Sequence, residues 1–382
     1  MKLMHISDLH IGKRVNEFSM LEDQEYILNE IIKIAKDENI SGIIIAGDVY
    51  DKTVPPIEAV DLADEFLTKL VEENISIYMI SGNHDSPERL NFGSRIMEKN
   101  NLFICGEYDG DLRKIVIEDE YGKLNIYFLP YIKPSIVNNK LGLETKTYDE
   151  SVKEALKVID IDVESRNILI AHQFVTFGST VPELSDSETK SLGGIDNVDA
   201  SVFDKFDYVA LGHIHKPQKI GREVIRYSGS PLKYSFSECN HKKSVCIVEF
   251  KEKNNCEIKL APLIPKRDMK HLKTSMEDLK SGNILSSIPS DTYMHITLTD
   301  DEEVIDAISK VREIFKNVMV LDFDNKRNAE NLSDTTITSE DLKQKTPKEL
   351  FVDFFSSQNN VELTESQNEI ISNIVNEVLE VK

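Results

Sequence analysis

Hydrophobic and polar positions alternate in blocks along the first hundred residues. Residues 2–6 form an apolar run that stops at Ser7-Asp8. Gln24, Leu28, Ile31, Ile32 and Ala35 then recur at the spacing of one helix face. A second apolar run, 43–46, stops at Gly47-Asp48, and a second amphipathic stretch follows with Ala59, Ala63, Phe66, Leu67 and Leu70 on one side. Residues 75–80 make a third run, ending at Gly82-Asn83. Runs this short, separated by helices, read as βαβ units and hence as a sheet with helices on its faces.

Past residue 100 the pattern becomes richer in strands. Candidate strands are 115–118, 124–129, 167–171, 208–211, 244–250 and 256–260, with one helix near 149–159. This order predicts an α/β chain whose core is an α+β sandwich, two sheets flanked by helices. A boundary is expected near residues 262–270, so the core is assigned to 1–265. Residues 266–324 then spell a small αβ unit from the strand 292–298, the helix 302–315 and the strand 318–323. The stretch 325–345 is almost wholly polar and reads as a linker.

The last segment, 346–382, is helical in pattern. Thr346-Pro347-Lys348-Glu349 is a capping box with proline at the first helical position. It is followed by Phe351, Phe354 and Phe355, and a second cap at Thr364 precedes Ile370, Ile371, Ile374, Val375 and Val378. Two short amphipathic helices behind a polar tether either fold back on the body or dock on a partner.

Composition narrows the picture. With 45 Lys and Arg against 67 Asp and Glu, the net charge is −22, the opposite of the basic footprint of most nucleic-acid binders. Contact with phosphates would need bound cations, local basic clusters or a partner. The four cysteines show no metal or disulfide spacing. No stretch approaches the roughly 20 apolar residues of a membrane span, and the amino terminus runs straight into a strand with no leader pattern. No membrane association is expected, and the cytoplasm is the expected location.

The chemistry sits where the strands stop. Asp8 and His10 follow the first strand, Asp48 the second, and Asn83, His84 and Asp85 the third. His172 follows 167–171, while His213 and His215 follow 208–211. Ligands bind beyond the carboxyl ends of strands in such sheets, so these side chains are expected to converge. Residues two apart in an extended segment face the same way, which would aim Asp8 with His10 and His213 with His215. Two buried carboxylates repel unless a cation lies between them. Asp8, His10, Asp48, Asn83, His172, His213 and His215 are too many ligands for one transition metal and suit two ions sharing a carboxylate. The mixed oxygen and nitrogen set favours manganese, iron or zinc over calcium or magnesium. Taken singly, each piece also reads as an ordinary turn or a buried histidine; the order of all of them favours a metal centre.

Asp8-x-His10, Gly47-Asp48-x-x-Asp51, Gly82-Asn83-His84-Asp85, His172 and Gly212-His213-x-His215 resemble, in order, the motifs of the calcineurin-like metallophosphoesterases. The resemblance implies one metal on Asp8, His10, Asp48 and His215, and a second on Asp48, Asn83, His172 and His213. It also implies catalytic roles for His84, which would protonate the leaving oxygen or steady the transition state, and for Asp85, which would orient His84. A narrower resemblance runs through Ser81–Leu90 and Tyr227–Ser235 to the SbcD family of nuclease subunits. It implies a manganese-dependent DNA exonuclease and endonuclease of repair, recombination and replication, working with an SbcC-like coiled-coil ATPase as a homodimer within a heterotetramer. Residues 266–324 would then be the DNA-binding capping domain and 346–382 the partner-binding segment.

Arg14 and Arg89 are possible phosphate contacts, as are Lys13, Lys216 and Lys233, and all five are equally ordinary as solvated charges. Two other functions compete. A stand-alone phosphoesterase acting on nucleotides, cyclic nucleotides or phosphoproteins would share the motifs but leave the last 120 or so residues unexplained. A non-catalytic scaffold would not need the intact His84–Asp85 pair.

Overall fold

The computed structural model describes residues 1–188, 195–281, 288–302, 304–324, 346–359 and 363–380; the expected linker 325–345 lies outside them. The chain divides into two compact units, Met1–Met269 and Lys270–Lys382.

The first unit holds two six-stranded sheets. One runs in the order Cys256–Pro262, Ser244–Phe250, Lys2–Ile6, Gly42–Ala46, Ser76–Ile80, Leu102–Cys105. The last four of these pair in parallel, and the hairpin 244–262 closes the edge antiparallel. The other runs Gln218–Ile220, Arg222–Tyr227, Tyr208–Gly212, Arg166–His172, Gly122–Leu129, Arg113–Asp119, again parallel in the middle and antiparallel at both edges.

Alternation along each strand decides which layer it feeds. Leu124, Ile126 and Phe128 point into the core between the sheets, with Leu3, Ile44, Tyr78, Ile80, Ile168 and Ile170. Tyr127 and Leu129, from the same strand, join a second core with Leu169, Val209 and Leu211, closed by Val137, Val152 and Ala155 of the helices Pro134–Leu141 and Tyr148–Lys157. A strand buried on both faces reads as a continuous apolar run, as 124–129 does. On the first sheet, the helices Leu21–Asp37 and Ile57–Glu72 bury Ile27, Leu28, Ile31 and Ala35, and Ala59, Ala63, Phe66 and Leu70. The result is the expected two-sheet sandwich with helices outside.

The helix Pro134–Leu141 escapes sequence reading because it spans two turns with a weak apolar face, starting at proline and stopping at a left-handed Gly142.

In the second unit, Met269–Thr274, Tyr293–Leu298 and Asn317–Phe323 form a three-stranded sheet. Its core of Met276, Leu279, Met294, Ile296, Leu298, Val311, Phe315 and Val318 includes both short helices, Met276–Lys280 and Ala307–Ile314. The second helix starts later than residue 302 because Asp306 holds a left-handed backbone at φ 52°. The helices Pro347–Asn359 and Glu365–Glu380 pack on each other. Among the described residues, no helix is long and apolar enough to cross a membrane.

Candidate metal centre

Parallel pairing brings the carboxyl ends of Lys2–Ile6, Gly42–Ala46 and Ser76–Ile80 to one edge of the first sheet, and those of Arg166–His172 and Tyr208–Gly212 to one edge of the second. Asp8, His10, Asp48, Asn83, His172, His213 and His215 all gather there.

The backbone that delivers four of them is not extended. Asp8 (φ 53°), His10 (45°), Asp48 (51°) and His213 (103°) occupy the left-handed region. The expectation that i, i+2 spacing in an extended segment aims these pairs is therefore wrong in its reason. Each such residue costs about 1–3 kcal/mol and persists where its surroundings over-determine it. Here they do: the N–H groups of Asp8, His10 and Ile11 donate to the carbonyls of Gly47, Asp48 and Val49 at 3.1, 3.0 and 2.9 Å, zipping two strand-end loops together. Glycine permits the approach of the third loop, since a Cβ on Gly82 would lie 2.1 Å from Asp48 Oδ1.

Within the centre, Asp8, His10 and His215 offer ligand atoms within 4.8 Å of one another, and so do Asp8, Asp48 and His172. His10 Nε2 and His215 Nε2 face each other at 3.1 Å. On the other side, Asn83 Oδ1 lies 3.0 Å from His172 Nε2 and 2.9 Å from His213 Nδ1. One oxygen spans the halves: Asp48 Oδ2 is 3.7 Å from His10 Nε2 and 3.3 Å from His172 Nε2. The Asp8 carboxylate accepts from the His213 N–H at 2.9 Å and from the Ser7 hydroxyl.

Ring orientation is set from behind. His172 Nδ1 donates to the Ala46 carbonyl at 2.8 Å, which leaves the Nε2 lone pair facing the centre. His84 Nδ1 lies 3.0 Å from the Asp51 carbonyl, and its N–H donates to Asp48 Oδ1 at 2.8 Å. The group orienting His84 is thus the Asp51 carbonyl. Asp85 instead accepts from the N–H groups of Val49, Tyr50 and Gly82 at 3.2, 3.0 and 2.9 Å, clamping two loops to each other. Sequence reading also missed Gln24. Its Nε2 donates to the His10 carbonyl at 2.7 Å and to Tyr234 Oη at 3.0 Å, while its Oε1 accepts from Gly12 N–H at 3.0 Å. An amide on the buried face of an amphipathic helix was the available signal.

The exposed Arg14 guanidinium donates to the Glu17 carbonyl, and Arg89 lines a depression with Tyr50, Asp64 and Phe92.

Without a cation the centre is electrostatically frustrated. Burial raises the Asp8 carboxyl above its ordinary range and holds His10 well below the imidazole range and His213 down to about 3. Burial also opposes charge on His172, but Asp48 beside it raises it to about 9. Asp48 in turn is held low against its own burial, chiefly by His172. Burial and the Asp48 charge push Asp85 up to about 6. Among the described residues, His10 Nδ1 has no hydrogen-bond partner, and Asp51 Oδ1 lies 3.6 Å from it. Buried carboxylates beside imidazoles and an amide oxygen form a donor set that suits divalent ions of the manganese, iron and zinc type.

Residues 1–217 match the calcineurin-like phosphoesterase family, and 265–359 match the family described as Type 5 capsule protein repressor C-terminal domain. The D subunit of the SbcCD nuclease of Staphylococcus epidermidis is 32% identical over 390 aligned positions, covering 100% of this chain and 99% of that one. Among solved structures, a dimetal phosphatase from Danio rerio aligns with a TM-score of 0.41 at 10% identity, over 69% of this chain and 96% of its own. TT1561 of Thermus thermophilus aligns at 0.38 and 11%, over 68% and 98%. By its first 217 residues and its full-length likeness, the chain belongs to the calcineurin-like phosphoesterases, in the branch of the SbcD nuclease subunits.

Proposed function

We propose that the chain is the nuclease subunit of an SbcC–SbcD-type complex and hydrolyses DNA phosphodiester bonds as a double-strand exonuclease and a single-strand or hairpin endonuclease. The observation that carries the two-metal reading is Asp48 Oδ2, poised between an imidazole of each half of the centre. Asp8, His10, Asp48 and His215 would hold one ion, and Asp48, Asn83, His172 and His213 the other, with Mn2+ as the physiological metal. Bound there, the pair would supply an activated water and neutralise phosphate charge. His84 turns Nδ1–H to the Asp51 carbonyl; in the imidazolium form its second N–H, on Nε2, would give its proton to the leaving oxygen, and Nδ1 would keep its own hydrogen in the neutral ring that results. Asp85 keeps the loops of Asp48 and Asn83 in register for that geometry.

Two surfaces support the partner reading. Phe351, Ile370 and Ile374 are exposed on the last two helices, as expected of faces that dock on a coiled-coil ATPase. Val54, Ile57, Val60, Phe92 and Ile96 are exposed on the first unit, and Val60 and Phe92 line, with Leu67 and Leu90, the depression that also holds Arg89 and Asp64. An apolar surface of that kind favours a second copy of the chain. Full-length likeness to a nuclease subunit favours this reading over a stand-alone phosphoesterase.

The test is a substrate panel with Mn2+. Linear and hairpin DNA should be cut, with little turnover of nucleotides, cyclic nucleotides or phosphopeptides; the reverse ranking would select the stand-alone phosphoesterase. A chain ending at residue 345 should keep its metal and fail to co-purify with the ATPase.

A further inference from the structure

Behind His215 runs a chain of buried and half-buried polar groups drawn from separate loops. His215 Nδ1 lies 2.7 Å from Ser187 Oγ. Ser187 Oγ donates to Glu238 Oε1 at 2.6 Å. Glu238 is fully buried, and its Oε2 accepts from Lys243 Nζ at 2.6 Å. Lys243 Nζ donates also to Ser230 Oγ and to the His215 carbonyl, each at 2.8 Å, so the chain closes on the residue where it began. Glu188 completes the enclosure by accepting the His215 backbone N–H.

Ser187 Oγ also lies 3.0 Å from Ser185 Oγ, and the charge on Glu238 decides which neighbour takes the Ser187 proton. Serine has a single hydroxyl proton. Glu238, beside the Lys243 ammonium, is an ionised acceptor and takes that proton in the 2.6 Å bond. Ser187 Oγ can then only accept from His215, so Nδ1 carries the hydrogen and Nε2 keeps its lone pair. That lone pair faces the Asp8, His10 and His215 group. Packing alone does not explain the ring. Burying a lysine–glutamate pair costs several kcal/mol that mutual attraction only partly offsets, and apolar residues would fill the space at less expense.

We infer that Ser187 is a positioning residue, and that Glu238, held ionised by Lys243, acts through it to fix the His215 tautomer and ring for metal binding. The inference rests on the two-metal reading above and extends it to residues outside the metal-facing set. It makes the two halves of the centre separable: loss of the Ser187 hydroxyl should loosen the His10–His215 half and leave the His172–His213 half intact.

The experiment titrates the metal-stripped, full-length chain with Mn2+ and follows free aqueous Mn2+ by its electron paramagnetic resonance signal. Ser187→Ala should weaken one of two binding events by about tenfold to a hundredfold, the range typical of lost orienting partners of a ligand histidine. The second event should not move, and the metal-free chain should still unfold in one cooperative transition. Ser187→Thr keeps a hydroxyl and should restore the parent curve. Parent-like binding by Ser187→Ala, or equal weakening of both events, overturns the inference, as does failure of the threonine rescue. Asp48→Asn, titrated in parallel, keeps the two readings apart. If it binds both ions as tightly as the parent, the two-metal reading falls. If it loses metal while Ser187→Ala binds normally, the relay alone falls.

Discussion

The two halves of the centre are built on different supports. His172 is the last residue of a fully buried strand, and its ring is aimed by a main-chain carbonyl, Ala46, from a strand of the other sheet. His10 and His215 stand on loops and depend on side chains: Gln24 holds the His10 carbonyl, and the Tyr234 ring packs 5.7 and 5.9 Å from the two imidazoles. The first half is a by-product of assembling the sandwich; whatever closes the two sheets also points His172. The second half needs particular side chains at particular places, so it should be the half that mutation can loosen without unfolding the protein.

The bridging position between the halves gives the largest expected effect. Asp48→Asn removes the charge both halves share, and DNA cleavage should fall by about a thousandfold or more, corresponding to several kcal/mol of metal-borne stabilisation. A variant that cut normally would show that the halves do not work as one centre. His84→Gln should lower cleavage by about a hundredfold or more, as for loss of a general acid, while Mn2+ binding stays at the parent level. Weakened metal binding instead would move His84 into the ligand set.

The remaining two predictions address one half each. Gly47 sits at φ 88°, and a Cβ there would lie 2.4 Å from His172 Nδ1. Gly47→Ala should therefore displace the His172 ring and weaken one Mn2+ event by about tenfold, the event that Ser187→Ala spares. Loss of the same event in both variants would break the comparison. Gln24→Ala strands the Gly12 N–H and leaves the His10 carbonyl with the Lys13 N–H as its remaining donor, and should lower stability by about 1–3 kcal/mol in denaturant unfolding, with the larger share of any metal loss in the His10–His215 half. An unchanged midpoint would mean that water or Tyr234 replaces the amide.

These supports also explain what could be read from the sequence. The strands were legible because parallel strands buried on both faces, such as 43–46 and 124–129, are unbroken apolar runs. The positions of Asp8, Asp48, Asn83 and His172 were legible because each interrupts or ends such a run with a polar residue. How they are aimed was not. Aspartate and histidine at positive φ leave no pattern in one sequence, and the zipper from Asp8, His10 and Ile11 to residues 47–49 is a contact between loops. Asp85 pairs with backbone N–H groups, which have no sequence identity, so its role as a clamp could not be told from that of a partner to His84. Ser187 and Glu238 lie 51 positions apart and share no motif.

The strand Lys2–Ile6, which leads into Asp8 and His10, pairs on one side with Gly42–Ala46 and on the other with Ser244–Phe250, His5 standing opposite Cys246. During synthesis at about 5–20 residues per second, this first strand waits roughly 10 to 50 s for its second neighbour. His213 and His215 emerge only near the close of that interval. The nascent chain therefore carries no complete hydrolytic centre until its sandwich is almost finished, so the order of translation itself delays the onset of cutting.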